Sequence, residues 1–473
     1  MTKKRLFVAI ACICVMSLSL FSLVACKKPA DVEGNGQETE IEVPNSGFEI
    51  VEDKAPVPTA TLKYSLSNDG DYAILMNIGE NTSLSDIVIA DTYAGKPVAE
   101  IAEDAFADSK SLASVKILGN NLQTIGAGAF RNCEALKTIN IPGSVININD
   151  AAFRSCFSLE SISLPENLSF LGNSVFHRCE KLQEIKLPQA ITTVSEQLFW
   201  GCTALKSVTF AADTTIIDKE AFRKCEALET ITLPDKLEQI NEKAFMNCNK
   251  LKAITIPNNV EELGLESFRE CEKLETLTFV KEDSKLTTIG IKAFMGCKGL
   301  KTVNNMPNTL TTIDDYAFAN TEKLAHITLN QGLSRIGKYA FHNSGLTEIT
   351  ITSGVEIIDA FAFDSCKNLK DVHFPLTLKY IGEGAFRSSG VLPEAAEGQP
   401  EILKGRQINF TYVGTKTDFE KMLIEERDKE GNLITPQKIV TTYYWGDVES
   451  VIKVKCTGSG GAGEVIMTFG QKN

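Results

Sequence analysis

Apolar positions along this 473-residue chain fall into three regimes. A continuous apolar run fills residues 6–25, directly behind Lys3, Lys4 and Arg5. Residues 27–60 are thinly apolar, with Pro29, Pro44, Pro56 and Pro58 and eight acidic side chains against three Lys. Beyond them the apolar positions recur at a fixed spacing for some 300 residues, and no chance pattern does that.

The repeat is anchored on Phe106, Phe130, Phe153, Phe176, Phe199, Phe222, Phe245, Phe268, Phe294, Phe318, Phe341, Phe363 and Phe386. Eight of the twelve steps are 23 residues and the others are 22, 24 or 26. Ala precedes the Phe in ten of thirteen units, and Leu follows six residues later in twelve. In the unit from Ala221 to Ile240, Ala221, Phe222 and Cys225 fall at helical spacing, which predicts a short helical or 3₁₀ turn. Leu228, Ile231 and Leu233 follow at the spacing of a short strand, which Pro234 ends by removing a ladder donor. Leu237 and Ile240 turn a return segment inward. A lone unit cannot bury these side chains, so units must stack, Phe upon Phe. A period of 20–29 with this skeleton predicts a leucine-rich repeat solenoid of about thirteen units, each a short strand plus a helical turn, closed at both ends by β caps. The boundaries read from sequence are a leader over 1–26, a tether over 27–60, an N-terminal β cap over 61–101, the solenoid over 102–390 and a C-terminal β cap over 391–473.

Charge and composition narrow the function. There are 48 basic and 61 acidic residues, for a net charge of −13, which argues against nucleic acid as partner because phosphate binding needs a basic face. Only four His are present, which argues against a His-rich metal site. The basic n-region, the apolar run and the Leu23-Val24-Ala25-Cys26 ending form a secretory signal. The small residues before Cys26 resemble a bacterial lipobox, which implies a lipid anchor on the Cys26 thiol and an extracytoplasmic, surface-held chain. Residues 27–60 hold too little apolar surface to offset the entropy of ordering and read as a tether.

The A-F-x-x-C-x-x-L-x-x-I-x-I-P-x-x-V-x-x-I unit resembles the BspA-like, or Treponema-type, leucine-rich repeat family over residues 86–389. The segment I-V-I-A-D-T-Y-A-G-K-P-V-A-E-I at 87–101 is similar to that family's opening segment. I-N-F-T-Y-V-G-T-K-T-D-F-E-K-M-L at 408–423 is similar to its closing segment, with Phe419 where Trp is common. The resemblance implies a surface-exposed bacterial protein that mediates adhesion to host matrix or cell-surface proteins or to other bacteria, without fixing one ligand.

Thirteen Cys are present, and nine stand three residues after the repeat Phe: Cys133, Cys156, Cys179, Cys202, Cys225, Cys248, Cys271, Cys297 and Cys366. Zinc sites need short C-x-x-C pairs or mixed Cys and His, and neither occurs in the array. Stacked Cβ vectors run parallel, which disfavours disulfides between neighbours. Ser109, Thr321, Ser344 and Ser389 share the slot. A hydroxyl can replace a thiol beside a backbone neighbour but not as a metal ligand, so the ladder reads as buried free thiols.

A ligand surface, if it lies on the solenoid, is expected on the strand face, where residues flanking the inward Ile point outward. One column includes Lys186, Thr209, Thr232, Thr255, Thr278 and His373, and the next includes His326, Glu348 and Asp371. The columns hold mostly small hydroxyls and no Trp, Tyr or Arg, so a plain solvated β surface is the competing reading. Past residue 390 the period breaks. Tyr443, Tyr444 and Trp445 form a candidate aromatic platform or the core of a small cap. Residues 451–456 and 464–469 read as a hairpin around a Gly-rich turn. The Gly run lacks the Lys-Ser/Thr of a phosphate loop, and no known catalytic motif is present. The expectation is therefore a protein that is not an enzyme and has no cofactor or metal. Its partner would be a protein or glycan on a host or bacterial surface, and its membrane contact the lipid at Cys26. Glycan capture, which requires exposed aromatics such as Trp200, and a scaffolding role in the envelope are the alternatives.

Overall fold

The computed structural model describes residues 57–79, 83–391 and 408–419. Further on it describes the strands Leu423–Ile424, Glu426–Arg427, Leu433–Ile434, Val451–Cys456 with Thr457, and Gly463–Thr468. The leader with Cys26, the tether up to residue 56, and Tyr443, Tyr444 and Trp445 lie outside the described residues.

Most turns of the chain contribute two short parallel strands, a front one and a return one, so the solenoid has two ladders. The front ladder contains Asp86–Ile89, Ser114–Ile117 and Thr138–Ile139 in one sheet, then Glu184–Lys186 with Ser207–Thr209. It continues as Ala253–Ile256, Thr276–Phe279 and Thr302–Asn304, and then as Glu348–Thr350, Asp371–Phe374, Asn409–Tyr412 and Val451–Cys456. The return ladder is less interrupted. Ten strands from Thr193–Val194 to Leu423–Ile424 pair in parallel, two residues each. Its inward column, from Val194 through Ile217, Ile240, Leu263, Ile289, Ile313, Ile336 and Ile358, is completely buried or nearly so. This second ladder is absent from the one-strand reading, because two-residue strands leave only a single apolar position to see.

The third side is not helical. Among the described residues Lys416–Phe419 is the one α-helix. The A-F-x-x-C segment instead holds left-handed residues two before and two after its Phe, such as Ala151 (φ 55) and Ser155 (φ 60) around Phe153. Alternating hands cannot make a helix. The N–H groups alternate with them. Those of Gly128, Phe130 and Asn132 donate to the next turn's Asp150, Ala152 and Arg154 carbonyls, each at 2.8 Å. Those of Ala129, Arg131 and Cys133 close tight turns onto Gly126, Gly128 and Phe130. The segment therefore bonds its neighbours like a strand while turning like a helix, which is why helical spacing misled.

The Phe rings form one spine. Consecutive centroids from Phe106 to Phe386 lie 5.0–5.9 Å apart with interplanar angles of 1–20°. Stacking adds about 0.5–1.5 kcal/mol per pair beyond the burial of the rings.

The ends are β structure. Lys63–Leu66 pairs antiparallel with Ala73–Asn77, which joins the return ladder through Lys96–Ile101. Thr59 bonds Val88 with both its backbone and its hydroxyl, covering the first front strand. At the other end Val451–Cys456 pairs antiparallel with Gly463–Thr468, as the hairpin reading expects. Thr415 and Asp418 bond each other's backbone N–H across the short helix, and Phe419 packs edge-on to Tyr412 at 5.3 Å.

Candidate functional site

The front ladder fixes the two outward columns in register. Glu184 and Lys186 pair with Ser207 and Thr209. Ala253 and Thr255 pair with Thr276 and Thr278, and these with Thr302 and Asn304. Glu348 and Thr350 pair with Asp371 and His373, which pair with Asn409 and Thr411, and Thr411 with Lys455. Lys186, Thr209, Thr232, Thr255, His326, Glu348 and His373 are exposed, while Thr278 and Asp371 are half-buried.

Thr232 and His326 stand where the front ladder lapses. Residues 161–164, 230–233 and 326–329 run alongside their neighbours without forming a paired strand. Shallow hollows open on the face at the first two lapses, two of them between neighbouring turns. One is lined by Ser161, Ser163, Glu184, Lys186, Ser207 and Thr209, the other by Thr230, Thr232, Asp235 and Lys236 among others. Lys186 pairs with Glu166 at 2.6 Å beside the first hollow. Lys236 pairs with Asp213 near the second and holds that exposed carboxyl below the usual range.

The chemically varied end of the face resolves into separate contacts. His326 Nδ1 lies 3.4 Å from Glu348. Asn409 donates to Asp371 at 2.9 Å, and His373 Nδ1 is 2.7 Å from the Thr411 hydroxyl. Neighbouring turns hold these groups two by two rather than around one centre. No group of three His, Cys, Asp or Glu among the described residues is placed to hold a metal ion.

The thiol ladder is internal. All nine Cys are free and buried, and each Sγ–H donates to the preceding turn's Phe carbonyl at 3.1–3.2 Å. Ser389 makes the same bond to Phe363, which explains how a hydroxyl shares the slot. Burial pushes the Cys133, Cys271 and Cys366 thiols up to about 12.

The sequence reading overlooked the turn ridge. Tyr316, Tyr339 and Phe361 stack there at 4.8 Å steps, all on left-handed backbone. Arg387 lies 4.5 Å over Phe361, and a Cβ on Gly384 (φ +60) would meet that ring at 2.4 Å. Asp364, almost wholly buried, accepts from both Arg387 Nε at 3.0 Å and His342 Nδ1 at 3.0 Å. The aromatics recur two residues before the repeat Phe, a column visible in sequence once that slot is isolated. Trp200 is half-buried on the same ridge, with His177 at 4.4 Å, Lys224 at 5.3 Å and Arg223 at 5.9 Å, so residues of both adjacent turns crowd its ring.

Two parallel ladders closed by a turn ridge, stacked at a 23-residue period, define a bacterial leucine-rich repeat solenoid. The profile of the BspA type leucine rich repeat region matches residues 76–206, 194–305 and 287–395, so the chain belongs to that family. A leucine-rich repeat protein from Bacteroides ovatus is 25% identical with a TM-score of 0.59, over 78% of this chain and 99% of that one. A leucine rich cell surface protein from Faecalibacterium prausnitzii is 22% identical with a TM-score of 0.45, over 78% and 98% of the two chains. The pneumococcal vaccine antigen PcpA is 18% identical with a TM-score of 0.43, over 77% and 95%. No match was found among curated proteins. No helix among the described residues is long and apolar enough to cross a membrane.

Proposed function

We propose that this chain is a non-catalytic binding protein displayed on a bacterial surface, which docks a protein partner along the front ladder. The observation that carries this reading is the registered pair of outward columns, broken by hollows beside Lys186 and Lys236. Short hydroxyl side chains on a rigid stack lose little entropy on contact and leave the face open to a broad partner. Membership of this family supports display outside the cytoplasm. We assign the anchoring to a lipid on Cys26 and the reach to residues 27–60. The hairpin at 63–77 and the strands after residue 408 act as caps that cover the first and last turns. Adhesion to host matrix proteins or to other bacteria is the role this architecture serves.

The test is a binding screen of the purified chain from residue 27 onward against immobilised matrix proteins and a glycan array, at two salt concentrations. A saturable protein hit weakened by Lys186→Glu and by Thr209→Arg supports the reading. A protein hit indifferent to both substitutions removes the front ladder from it. A glycan hit alone, or silence on both arrays, overturns it, the latter in favour of an envelope scaffold.

A further inference from the structure

Arginine is distributed unevenly on this solenoid. Of seven between residues 86 and 389, six stand on the turn ridge, immediately after the repeat Phe or one position further: Arg131, Arg154, Arg178, Arg223, Arg269 and Arg387. The front columns hold none. Five of the six are neutralised in place by Asp104, Glu180, Glu220, Glu266 and Asp364. Arg154 is exposed and has no carboxylate partner among the described residues. Three turns on, the half-buried Lys224 likewise has none and lies against the indole of Trp200. Of the acids near them, Glu180 and Glu220 are engaged by Arg178 and Arg223, and Glu226 is exposed. Between the two free cations lie His177 and Trp200 in edge contact. Burial and the Arg154 and Arg178 charges depress the His177 imidazole to about 4, so it stays neutral and adds no charge of its own near neutral pH.

Three turns at about 4.8 Å offset the two residues by on the order of 14 Å along the stack, within reach of their long side chains. In an extended peptide, side chains four residues apart on one edge are separated by about the same distance. A sugar ring would need an open indole face, and the turns on either side of Trp200 press on it. We infer that the ridge from Arg154 to Lys224 binds an extended acidic peptide segment of a partner protein. Its two carboxylates, four residues apart, meet the Arg154 guanidinium and the Lys224 ammonium, and an intervening side chain packs against the Trp200 edge. Guanidinium–carboxylate forks give both orientation and strength, and Trp and Arg are the residue types that dominate interfaces. This surface is separate from the front ladder and does not depend on the function proposed for it.

Fluorescence anisotropy tests it with the full chain in detergent micelles and three labelled nine-residue peptides of alternating Thr and Val. The first carries Glu at positions 3 and 7, the second carries Glu at positions 3 and 4, and the third carries Gln at 3 and 7. The expected result is saturable binding of the first, weakened by salt and at least about tenfold weaker for the other two. Arg154→Gln and Lys224→Gln should each weaken binding about tenfold with the fold retained by circular dichroism, since neither group supports an ion pair and Lys224→Gln gives up only its contact with the Trp200 ring. Thr209→Arg on the front ladder should leave it unchanged. Equal binding of all three peptides, indifference to both substitutions, or no saturable binding of the first peptide overturns the inference. So does capture of heparin, used as a sulfated polysaccharide probe, that depends on Arg154 when the peptides do not bind.

Discussion

The Cys225 thiol donates its proton to the carbonyl oxygen of Phe199, one turn earlier, at 3.2 Å. That bond ties the thiol ladder to the aromatic spine, because the Phe199 ring stacks on Phe222 in the turn of Cys225 itself. A thiolate could not make it. Burial therefore raises the Cys225 pKa well above the ordinary 9.0.

The native thiols are expected to be silent toward an aromatic disulfide reagent, with the nine reacting together only after denaturant is added. Their raised pKa also gives a pH dependence. Because the folded value lies above the unfolded one, the stabilisation is complete below pH 9 and is lost as the pH climbs past it. Each buried thiol removes about 1.4 kcal/mol per pH unit in that range. Cys225→Ser keeps a donor at the Phe199 carbonyl and should cost about 1 kcal/mol near pH 7 while flattening the alkaline slope by one thiol. Denaturant midpoints at pH 8 and pH 10 for the parent and the variant decide this. Identical slopes would contradict a buried, protonated ladder.

Phe222 sits between Phe199 and Phe245 at 5.3 and 5.1 Å, fully buried. Phe222→Ala should cost about 3–5 kcal/mol, as the lost ring leaves a cavity between two turns that cannot collapse independently. Neighbouring turns stabilise one another, so the loss should spread along the array and lower cooperativity as well as the midpoint. Urea unfolding followed by circular dichroism checks both. An unchanged midpoint would contradict the spine.

The period, the spine and the inward columns were legible in the sequence because each repeats thirteen times, and repetition averages away local noise. The register of Lys186 with Thr209 and of Glu348 with Asp371 followed from that period alone. The turn ridge was not legible as such. Ala221, Phe222 and Cys225 satisfy helical spacing, yet Glu220 (φ 55) and Lys224 (φ 62) are left-handed, and neither residue type signals that conformation. The signal is tertiary: the hydrogen bonds that hold those residues come from the adjacent turns. For the same reason the Tyr316–Tyr339–Phe361 stack, which needs that backbone to align its rings, could not be seen as a feature from spacing within one unit.

The left-handed slot two residues before the Phe offers a reciprocal pair of substitutions. Gly128 (φ +59) and Ala151 (φ 55) occupy it in successive turns. An L-residue there costs roughly 1–2 kcal/mol, partly offset by the extra freedom that Gly brings to the unfolded chain. Ala151→Gly should therefore stabilise by up to about 1 kcal/mol, and Gly128→Ala should destabilise by at least as much, because its Cβ would also meet the Asp104 carboxylate that pairs with Arg131. Shifts of the same sign in thermal melts of the two variants would show that neighbouring side chains, rather than backbone handedness, set the energetics of the slot.

Asp364 supplies the last expectation. Burial alone would raise its carboxyl, but hydrogen bonds from His342 and Arg387 and the Arg387 charge outweigh that and leave it below the ordinary 3.8. The sign is then that of a depressed acid: the stabilisation is complete above pH 3.8 and is lost as the pH falls through the folded value. Asp364→Ala leaves Arg387, stacked on Phe361, without its partner and removes the acceptor for His342. Breaking a buried pair from one side costs about 3–5 kcal/mol, and partial exposure of Arg387 sets the expectation at the lower end. The double variant Asp364→Ala with Arg387→Ala should cost less than the sum of the single changes, because no lone buried charge remains. Urea midpoints at pH 7 and pH 3.5 for the parent and the three variants separate the two contributions: the acid-side loss of stability should shrink whenever Asp364 is absent. An additive cycle would mean that Asp364 and Arg387 stabilise the ridge independently, through packing rather than through their ion pair.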